Sequence, residues 1–322
     1  MVPLWKAARR RPCRSSPVSL CIPKFPLRKA SEKEVVTLVL NPDRLRCDQP
    51  WGDSPHRPGS DAFFLRGSQG RLFAHLYRAG GAGVHPTVLL LHGFPGNERN
   101  FDLAQDLRRV GFHVLTFHYA GSWGSEGVFS FAQVLEDSEC AVDFLESREA
   151  QERHGIDGNR LFVVGHSMGG FAALHTAAKR KSLSAAVAMA PYDFGQMGLL
   201  ARREAGARSD LECLLADGAP WLNGAEPERL GAELDSCGES YCLIGLAELL
   251  AKKPLLIVGA GGDDCARPPI HCRPLVEALE ALKAPVEYKE MPTDHVFSDM
   301  RLSLSECVAA WLADRAQAGS RT

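Results

Sequence analysis

The chain has 322 residues, 45% of them hydrophobic, so it can bury a substantial core as one large α/β domain or as two smaller domains. Its 37 Lys and Arg are balanced by 39 Asp and Glu, which excludes the strongly positive surface that gathers nucleic acid or anionic membranes. No stretch approaches the roughly 20 apolar residues of a membrane-spanning helix, so we expect a soluble body without a membrane span.

The ten cysteines are scattered, without a Cys-x-x-Cys pair or a zinc-finger spacing. We interpret them as free thiols, which are typical of a reducing compartment, although their even number leaves disulfides open. The sequence therefore predicts a cytoplasmic protein with no metal site. It gives no information about oligomeric state.

The first thirty residues carry Lys and Arg but no acid. An organelle transit peptide is one interpretation, because such peptides are basic and poor in acids, but five prolines interrupt any amphipathic helix here. The alternative is a disordered basic extension or a start codon placed too far upstream. We expect residues 1–60 to form this Pro-rich extension, with a candidate short strand at 35–40, and residues 61–318 to form the folded domain.

The domain is expected to begin with an antiparallel hairpin at a sheet edge, because apolar runs at 62–65 and 72–77 flank a Gly-Ser-Gln-Gly turn. Buried strands then alternate with helices. The strand candidates are residues 87–91, 113–117, 161–164, 185–189, 255–258 and 286–290. The helix candidates are residues 101–110, 131–147, 169–181, 274–283 and 298–316. This alternation predicts an α/β fold with a mostly parallel, doubly wound sheet covered by helices on both faces.

The alternation breaks at about 194–250, where mixed helical pieces contain Gly, Pro and Trp221. We interpret this segment as a helical cap insertion over the carboxyl edge of the sheet, which is where doubly wound folds bind ligands.

The first candidate strand leads into a glycine-rich turn at residues 92–96 (His-Gly-Phe-Pro-Gly). Gly93 and Gly96 leave the backbone free to turn an N–H inward. A His-Gly pair after a strand is common in turns, so the motif gains weight only from its position one strand-helix-strand unit before the next motif.

That next motif is Gly-His-Ser-Met-Gly at residues 165–169, between a buried strand and a helix. It has the form of a nucleophile elbow, in which small residues two positions either side let strand and helix approach and leave the serine Oγ clear. Ser167 is therefore the predicted nucleophile. The oxyanion hole of such a site uses the N–H after the nucleophile and one in the earlier turn, which predicts Met168 and Phe94 as donors.

The general base must follow the nucleophile, after the last strand. His295 lies in the loop between the last candidate strand and the final candidate helix, and it is the predicted base. His166, next to the serine, is expected to point away from the site and to have a buried structural role.

The acid of a triad should follow the strand at 255–258, where Asp263 and Asp264 are both available. Counting forward from Pro254 favours Asp263, whereas counting back from Pro268 favours Asp264. We choose Asp263, because the strand end is the more rigid reference, and Asp264 remains the alternative. The nearby His and Cys at 271–272 lack a repeated ligand spacing, so no metal is expected.

Residues 61–316 resemble the α/β-hydrolase superfamily, close to the branch of dipeptidyl-aminopeptidase-like, acylaminoacyl-peptidase-like and serine-aminopeptidase-like hydrolases. The segments that carry the resemblance are residues 92–96, 118–127 (His-Tyr-Ala-Gly-Ser-Trp-Gly-Ser-Glu-Gly), 165–169 and 293–295 (Thr-Asp-His). The resemblance implies the same triad and oxyanion donors. The second segment departs from the family pattern, with Ala120 where an arginine is usual and Trp123 inside the loop, and this departure is expected to alter the pocket.

Together these features predict a serine hydrolase that cleaves an ester or amide acyl bond of a small molecule through an acyl-enzyme, without a cofactor. A carboxylic-ester hydrolase is the preferred interpretation. An aminopeptidase or acyl-peptidase type of peptidase, acyl transfer and carbon–carbon bond hydrolysis are alternatives on the same residues. A non-catalytic hydrolase-fold protein that binds a ligand or partner is the alternative from another class.

Overall fold

The computed structural model describes residues 40–318, and an eight-stranded sheet runs through that range. The strands are β1 (Gly59–Gly67), β2 (Gly70–Arg78), β3 (His85–Leu91), β4 (His113–Phe117), β5 (Ile156–His166), β6 (Leu183–Met189), β7 (Leu255–Ala260) and β8 (Val286–Met291). Their order in the sheet is β1-β2-β4-β3-β5-β6-β7-β8. Only the pairs β1/β2 and β2/β4 are antiparallel, so the predicted edge hairpin and mostly parallel sheet are both confirmed.

Helices join most of the strands. They are α1 (Phe101–Val110), α2 (Phe131–Glu146), α3 (Arg148–His154), α4 (Met168–Lys179), α5 (Phe194–Ala201), α6 (Ala205–Gly218), α7 (Pro227–Cys237), α8 (Ala247–Leu250), α9 (Pro268–His271), α10 (Arg273–Ala281) and α11 (Arg301–Ala318). Strand β4 and helix α1 have the predicted limits. Helix α3 was not predicted, because its sequence is polar and buries only Ala150.

The core lies on both faces of the sheet, because successive strand side chains point to opposite sides. In β3, Val88 and Leu90 pack in a cluster with α1 and α11, whereas Leu89 and Leu91 pack in a second cluster with α2, α4 and α10. The central strands β3 to β7 are buried almost throughout, which is why they appear in the sequence as unbroken apolar runs.

Several helix and strand limits differ from the sequence-based expectation by one residue or more, and the start of α11 has a visible cause. Helix α11 begins at Arg301 rather than at residue 298, because the carboxylate of Asp294 accepts hydrogen bonds from the N–H and hydroxyl of Ser298 and holds the preceding residues in a turn. Upstream of the boundary expected before residue 61, Leu40 is buried against α1 and α11, and the Asn41 N–H donates to the carbonyl of Val110. The candidate strand at 35–40 lies outside the described residues except for its last one.

The segment between β6 and β7 is helical, as predicted, and contains α5 to α8 with three short 3₁₀ turns. One buried carboxylate, Asp193, fixes both of its ends. Asp193 accepts hydrogen bonds from the N–H groups of Gln196 in α5 and Leu243 near the end of the insertion, and its own N–H donates to His271 Nδ1 at 3.0 Å. Burial raises the pKa of Asp193 to about 7.

No helix between residues 40 and 318 is long and apolar enough to cross a membrane. The cysteines in this part of the chain are free, and they are Cys47, Cys140, Cys213, Cys237, Cys242, Cys265, Cys272 and Cys307.

Candidate active site

The predicted site residues meet at the carboxyl end of the parallel sheet. Ser167 follows β5, Asp263 follows β7 and His295 follows β8, so three turns at the same edge of the sheet supply the three side chains. The turn that contains Phe94 follows β3, which is hydrogen-bonded directly to β5. The topology therefore gathers residues that are far apart in the sequence.

The backbone at Ser167 is strained, and two glycines allow the close backbone contacts that this conformation needs. Ser167 has φ +57° and ψ −121°, in the region that favours glycine. A Cβ on Gly165 would lie 1.9 Å from the carbonyl oxygen of Gly169, and a Cβ on Gly169 would lie 2.1 Å from that of Leu91. Strand β5, helix α4 and strand β3 thus approach so closely that no other residue fits, which is the physical reason for the Gly-x-Ser-x-Gly pattern.

A continuous line of hydrogen bonds joins the three side chains. His295 Nε2 lies 2.9 Å from Ser167 Oγ, and His295 Nδ1 lies 2.6 Å from Asp263 Oδ2. A carboxylate accepts, so the Nδ1–H of His295 donates to Asp263, which leaves Nε2 free to accept the hydroxyl proton of Ser167. The geometry is that of a nucleophile beside a base that a third group orients.

The Asp263 carboxylate is buried, with a fully buried side chain, yet it stays charged. Burial alone would raise its pKa, but the hydrogen bond and charge of His295 and the N–H groups of Ala266 and Cys265 lower it below the ordinary aspartate value. Asp264, the alternative acid, has an exposed side chain, and the structure brings Asp263 and not Asp264 to His295.

His166 contacts the backbone of the loop that carries His295, the candidate base. Its ring is 2% exposed, and its Nε2–H donates to the backbone carbonyl of His295 at 2.8 Å. Burial and the neighbouring imidazole of His295 lower the pKa of His166 to about 3, so the ring is neutral at physiological pH. This hydrogen bond fixes the backbone that carries His295.

The turn after β3 lies directly beside the serine. A Cβ on Gly93 would be 3.1 Å from Ser167 Cβ, and Met168 begins helix α4 immediately after the nucleophile. His92 donates its Nδ1–H to the Gly93 carbonyl at 2.8 Å. That oxygen belongs to the same peptide unit as the Phe94 N–H, so the hydrogen bond fixes the orientation of the group predicted to hold an oxyanion.

Aromatic side chains and the insertion cover this turn. The Phe94 ring packs 5.6 Å from Phe129 and 5.9 Å from Phe131, measured between ring centroids. It also lies against Gly218 of α6, where a Cβ would be 2.0 Å from Phe94 Cε1. Ser167, beside this turn, is 8% exposed, and the side chain of His295 is 21% exposed.

The contacts that His92 and His166 make with backbone carbonyls were not predicted from the sequence. Both histidines are part of the motifs, but nothing in a motif specifies the partner of a ring nitrogen. His271, which was considered as a possible metal ligand, instead accepts the N–H of Asp193. Among residues 40–318, no three His, Cys, Asp or Glu side chains are arranged to hold a metal ion.

Residues 88–318 match the sequence model described as the Alpha/beta hydrolase family. The match covers well over half of the chain, so the protein belongs to the alpha/beta hydrolase family, as its motifs predicted.

Curated relatives match shorter segments. The Quorum-quenching protein AidA of Acinetobacter baumannii (strain MDR-ZJ06) is 29% identical over 160 residues, which are 48% of this chain and 51% of that protein. The Lysophosphatidylserine lipase ABHD12 of Rattus norvegicus is 31% identical over 91 residues, 27% of this chain and 21% of that protein. The chain therefore spans about half or less of the length of these relatives.

Solved structures share the fold over most of the chain. A brefeldin A esterase described as a bacterial homologue of human hormone sensitive lipase has a TM-score of 0.59 and 21% identity, with 85% of this chain and 81% of that chain covered. The acylaminoacyl peptidase of Pyrococcus horikoshii has a TM-score of 0.58 and 14% identity, covering 80% of this chain and 40% of that chain. At such identities the likeness shows the fold alone, and esterases and peptidases both display it.

Proposed function

We propose that this protein is a serine hydrolase that cleaves small carboxylic esters through an acyl-enzyme, with Ser167 as nucleophile, His295 as general base and Asp263 as the orienting acid. The observation that carries the proposal is the line of hydrogen bonds from Ser167 Oγ through the His295 ring to the buried Asp263 carboxylate. Each member supplies one role of a Ser-His-Asp triad.

In the proposed first step, His295 Nε2 takes the proton of Ser167 as Oγ attacks the acyl carbonyl, and the imidazolium gives that proton to the leaving alcohol. Asp263 stabilises the imidazolium, which agrees with its lowered pKa. Water then repeats the sequence on the acyl-enzyme and releases the acid. Every proton transfer uses a side chain of this site, so the proposed steps need no metal or organic cofactor.

The N–H groups of Phe94 and Met168 are the proposed oxyanion donors. Met168 is the first residue of α4, so its N–H belongs to a helix N-terminus, where partial positive charge favours an anion. The His92 hydrogen bond orients the Gly93–Phe94 peptide unit. In an apolar surrounding such preoriented donors stabilise developing charge more strongly than water does.

The surroundings favour an ester over the substrate of an aminopeptidase. The apolar ring of Phe94 is half-buried in the turn beside Ser167, and a charged amino terminus packed against it would lose hydration without gaining a partner. The nearby carboxylate of Asp193 is already engaged by two backbone N–H groups. Peptidases among the structural neighbours keep peptide hydrolysis as the second candidate.

The proposed domain is residues 61–318, with the insertion at about 194–250 as its cap. The free cysteines between residues 40 and 318 support a reducing compartment for it.

Hydrolysis of short and long p-nitrophenyl esters beside an aminoacyl p-nitroanilide tests the reaction. We expect turnover of the esters, most rapid with a short acyl chain, and none by a Ser167→Ala variant. Faster cleavage of the anilide than of every ester would reject the ester proposal in favour of the peptidase, with the same triad. Absence of any turnover by folded wild-type protein would favour the binding role.

A further inference from the structure

A loop at residues 119–129 lies between the candidate oxyanion turn and the insertion, and it is tightly anchored. The Ala120 N–H donates to the buried carboxylate of Asp137 at 2.7 Å, and the Gly121 N–H donates to the Glu126 carbonyl at 3.0 Å. The Phe129 N–H donates to the carbonyl of Asn223 in the insertion. The base of the loop is therefore fixed to the domain and to the insertion at the same time.

Trp123 lies at the tip of this loop with a strained backbone. Its φ is +41°, in the left-handed region that a bulky residue rarely adopts, and its side chain is 37% exposed. Such a conformation persists only where surrounding contacts determine it, and it is found most often at functional sites. A partly exposed indole packed on a surface would not need a positive φ. The contacts of the Trp123 ring should therefore show what holds this conformation.

The indole of Trp123 holds the turn that follows β3. Its Nε1–H donates to the Pro95 carbonyl at 3.0 Å. At Gly96, where φ is +110°, a Cβ would lie 2.6 Å from Trp123 Nε1 and 2.9 Å from His92 Cε1. The turn is thus enclosed between two rings, with His92 fixing the Gly93 carbonyl on one side of Phe94 and Trp123 fixing the Pro95 carbonyl on the other.

A second tryptophan continues the contact into the insertion. The Trp221 ring stacks on Trp123, with an interplanar angle of 17° and 6.3 Å between centroids, and it is 60% exposed. The neighbouring Asn223 donates its N–H to the Gly121 carbonyl and its side-chain amide to the Gly127 carbonyl. The stacked indole rings therefore add to the Asn223 hydrogen bonds between insertion and loop, and Trp123 continues this contact to the turn.

We propose that Trp123 is a positioning residue for the reaction, which holds the turn carrying the Phe94 N–H in its working orientation, and that Trp221 supports it from the insertion. The proposal rests on the proposed function, because an oxyanion turn matters only to an acyl-transfer reaction. In this proposal the two tryptophans support stabilisation of the transition state. The competing role is that the same rings form a surface that binds substrate.

The test compares two variants with the same chemical change. Trp123→Phe removes the indole donor to Pro95, and the control Trp311→Phe removes the indole donor that reaches Glu287 Oε1 at 2.7 Å, between α11 and β8. Both are assayed with a short p-nitrophenyl ester, and kcat is expressed per reactive serine by titration with a fluorophosphonate. Inhibition by a short alkylboronic acid, which mimics the tetrahedral intermediate, is measured in parallel.

We expect Trp123→Phe to lower kcat by about 3- to 10-fold, the range for one neutral hydrogen bond, with little change in KM. The inhibition constant of the boronic acid should rise by the same factor, because only a tetrahedral adduct uses the oxyanion donors. The effect is smaller than the roughly 10²- to 10³-fold loss of a donor itself, since Trp123 acts through the turn. Trp311→Phe should retain wild-type values per reactive serine.

The exposed ring offers a second variant that carries little risk to folding. Trp221→Ala is expected to lower kcat less than Trp123→Phe does, again without raising KM. A raised KM with unchanged kcat in either variant would overturn the proposal and assign the rings to substrate binding. Equal kcat in Trp123→Phe and Trp311→Phe would also overturn it. A wild-type protein that does not react with the fluorophosphonate contradicts the proposed function, and the positioning role falls with it.

Discussion

The turns at the carboxyl edge of the sheet and the insertion that covers them differ in how their sequences encode close packing. In the elbow, Gly165 meets the backbone of Gly169 only four residues further on, so this contact appears in the sequence as one short motif, although Gly169 also meets the distant Leu91 carbonyl. In the insertion, a Cβ on Gly195 would lie 2.1 Å from the N atom of Cys242, and Gly218 meets the ring of Phe94. Those contacts are as close, but their partners are distant in the sequence and leave no local pattern.

Prediction from motifs therefore succeeds where a close contact joins residues that are near neighbours in the sequence. The insertion is built by ordinary apolar packing of short helices, and Leu211, Leu215, Leu230 and Leu234 fill its interior. Such packing accepts many sequences of similar volume. Away from its close glycine contacts, the insertion should therefore tolerate substitution better than the turns at the sheet edge.

The largest expected effect is on the acid. Asp263→Asn should lower kcat by about 10⁴-fold, because an amide in this position favours the wrong tautomer of His295. Asp264→Asn, one residue away with an exposed side chain, is the matched control and should retain wild-type activity. Ester hydrolysis and circular dichroism of the two variants measure this. The opposite ranking would make Asp264 the acid.

A smaller effect is expected on stability. Gly169→Ala places a Cβ 2.1 Å from the Leu91 carbonyl oxygen and should lower the free energy of unfolding by about 3 kcal/mol. Gly206→Ala in α6 meets nothing within 4 Å and should leave it unchanged or raise it by about 0.5 kcal/mol. Urea unfolding of both variants measures the difference. Equal stability would mean that the elbow is not under the constraint described.

The smallest expected effect is the contribution of Asp193 in the insertion to the pH dependence of stability. The pKa of Asp193 is raised by burial to about 7 from its ordinary 3.8, so the folded protein retains a proton that the unfolded chain releases. The free energy of unfolding of the wild type should therefore fall as pH rises between these two values, and Asp193→Asn should remove that component. The exposed Asp217→Asn in α6 should keep the wild-type slope. Parallel curves for wild type and Asp193→Asn would contradict this assignment.

The sequence predicts most of the sheet, because its central strands are buried runs between glycine-rich turns. It predicts the positions of Ser167 and His295 from motif and chain order, whereas Asp263 and Asp264 are adjacent and only the direction of the turn distinguishes them. Helix α3 has no hydrophobic periodicity to reveal it, and its polar sequence is supported by local contacts such as the Ser147 hydroxyl that accepts the Ala150 N–H at its start.

The contacts of the ring nitrogens are not predictable in this way. His92, His166 and Trp123 each donate to a backbone carbonyl, and which carbonyl they reach depends on how two turns approach in space. Trp123 stood out in the sequence only as a bulky residue among glycines in a loop that departs from the family pattern. Its role in this account follows from the three-dimensional arrangement alone.

Reaction of the purified protein with a fluorophosphonate probe tests the central claim most directly. We expect labelling of the wild type and its loss in both Ser167→Ala and His295→Ala, because the probe requires a serine activated by its base. Labelling that persists in Ser167→Ala, or a folded wild-type protein that does not react, would contradict the claim that Ser167 is the activated nucleophile.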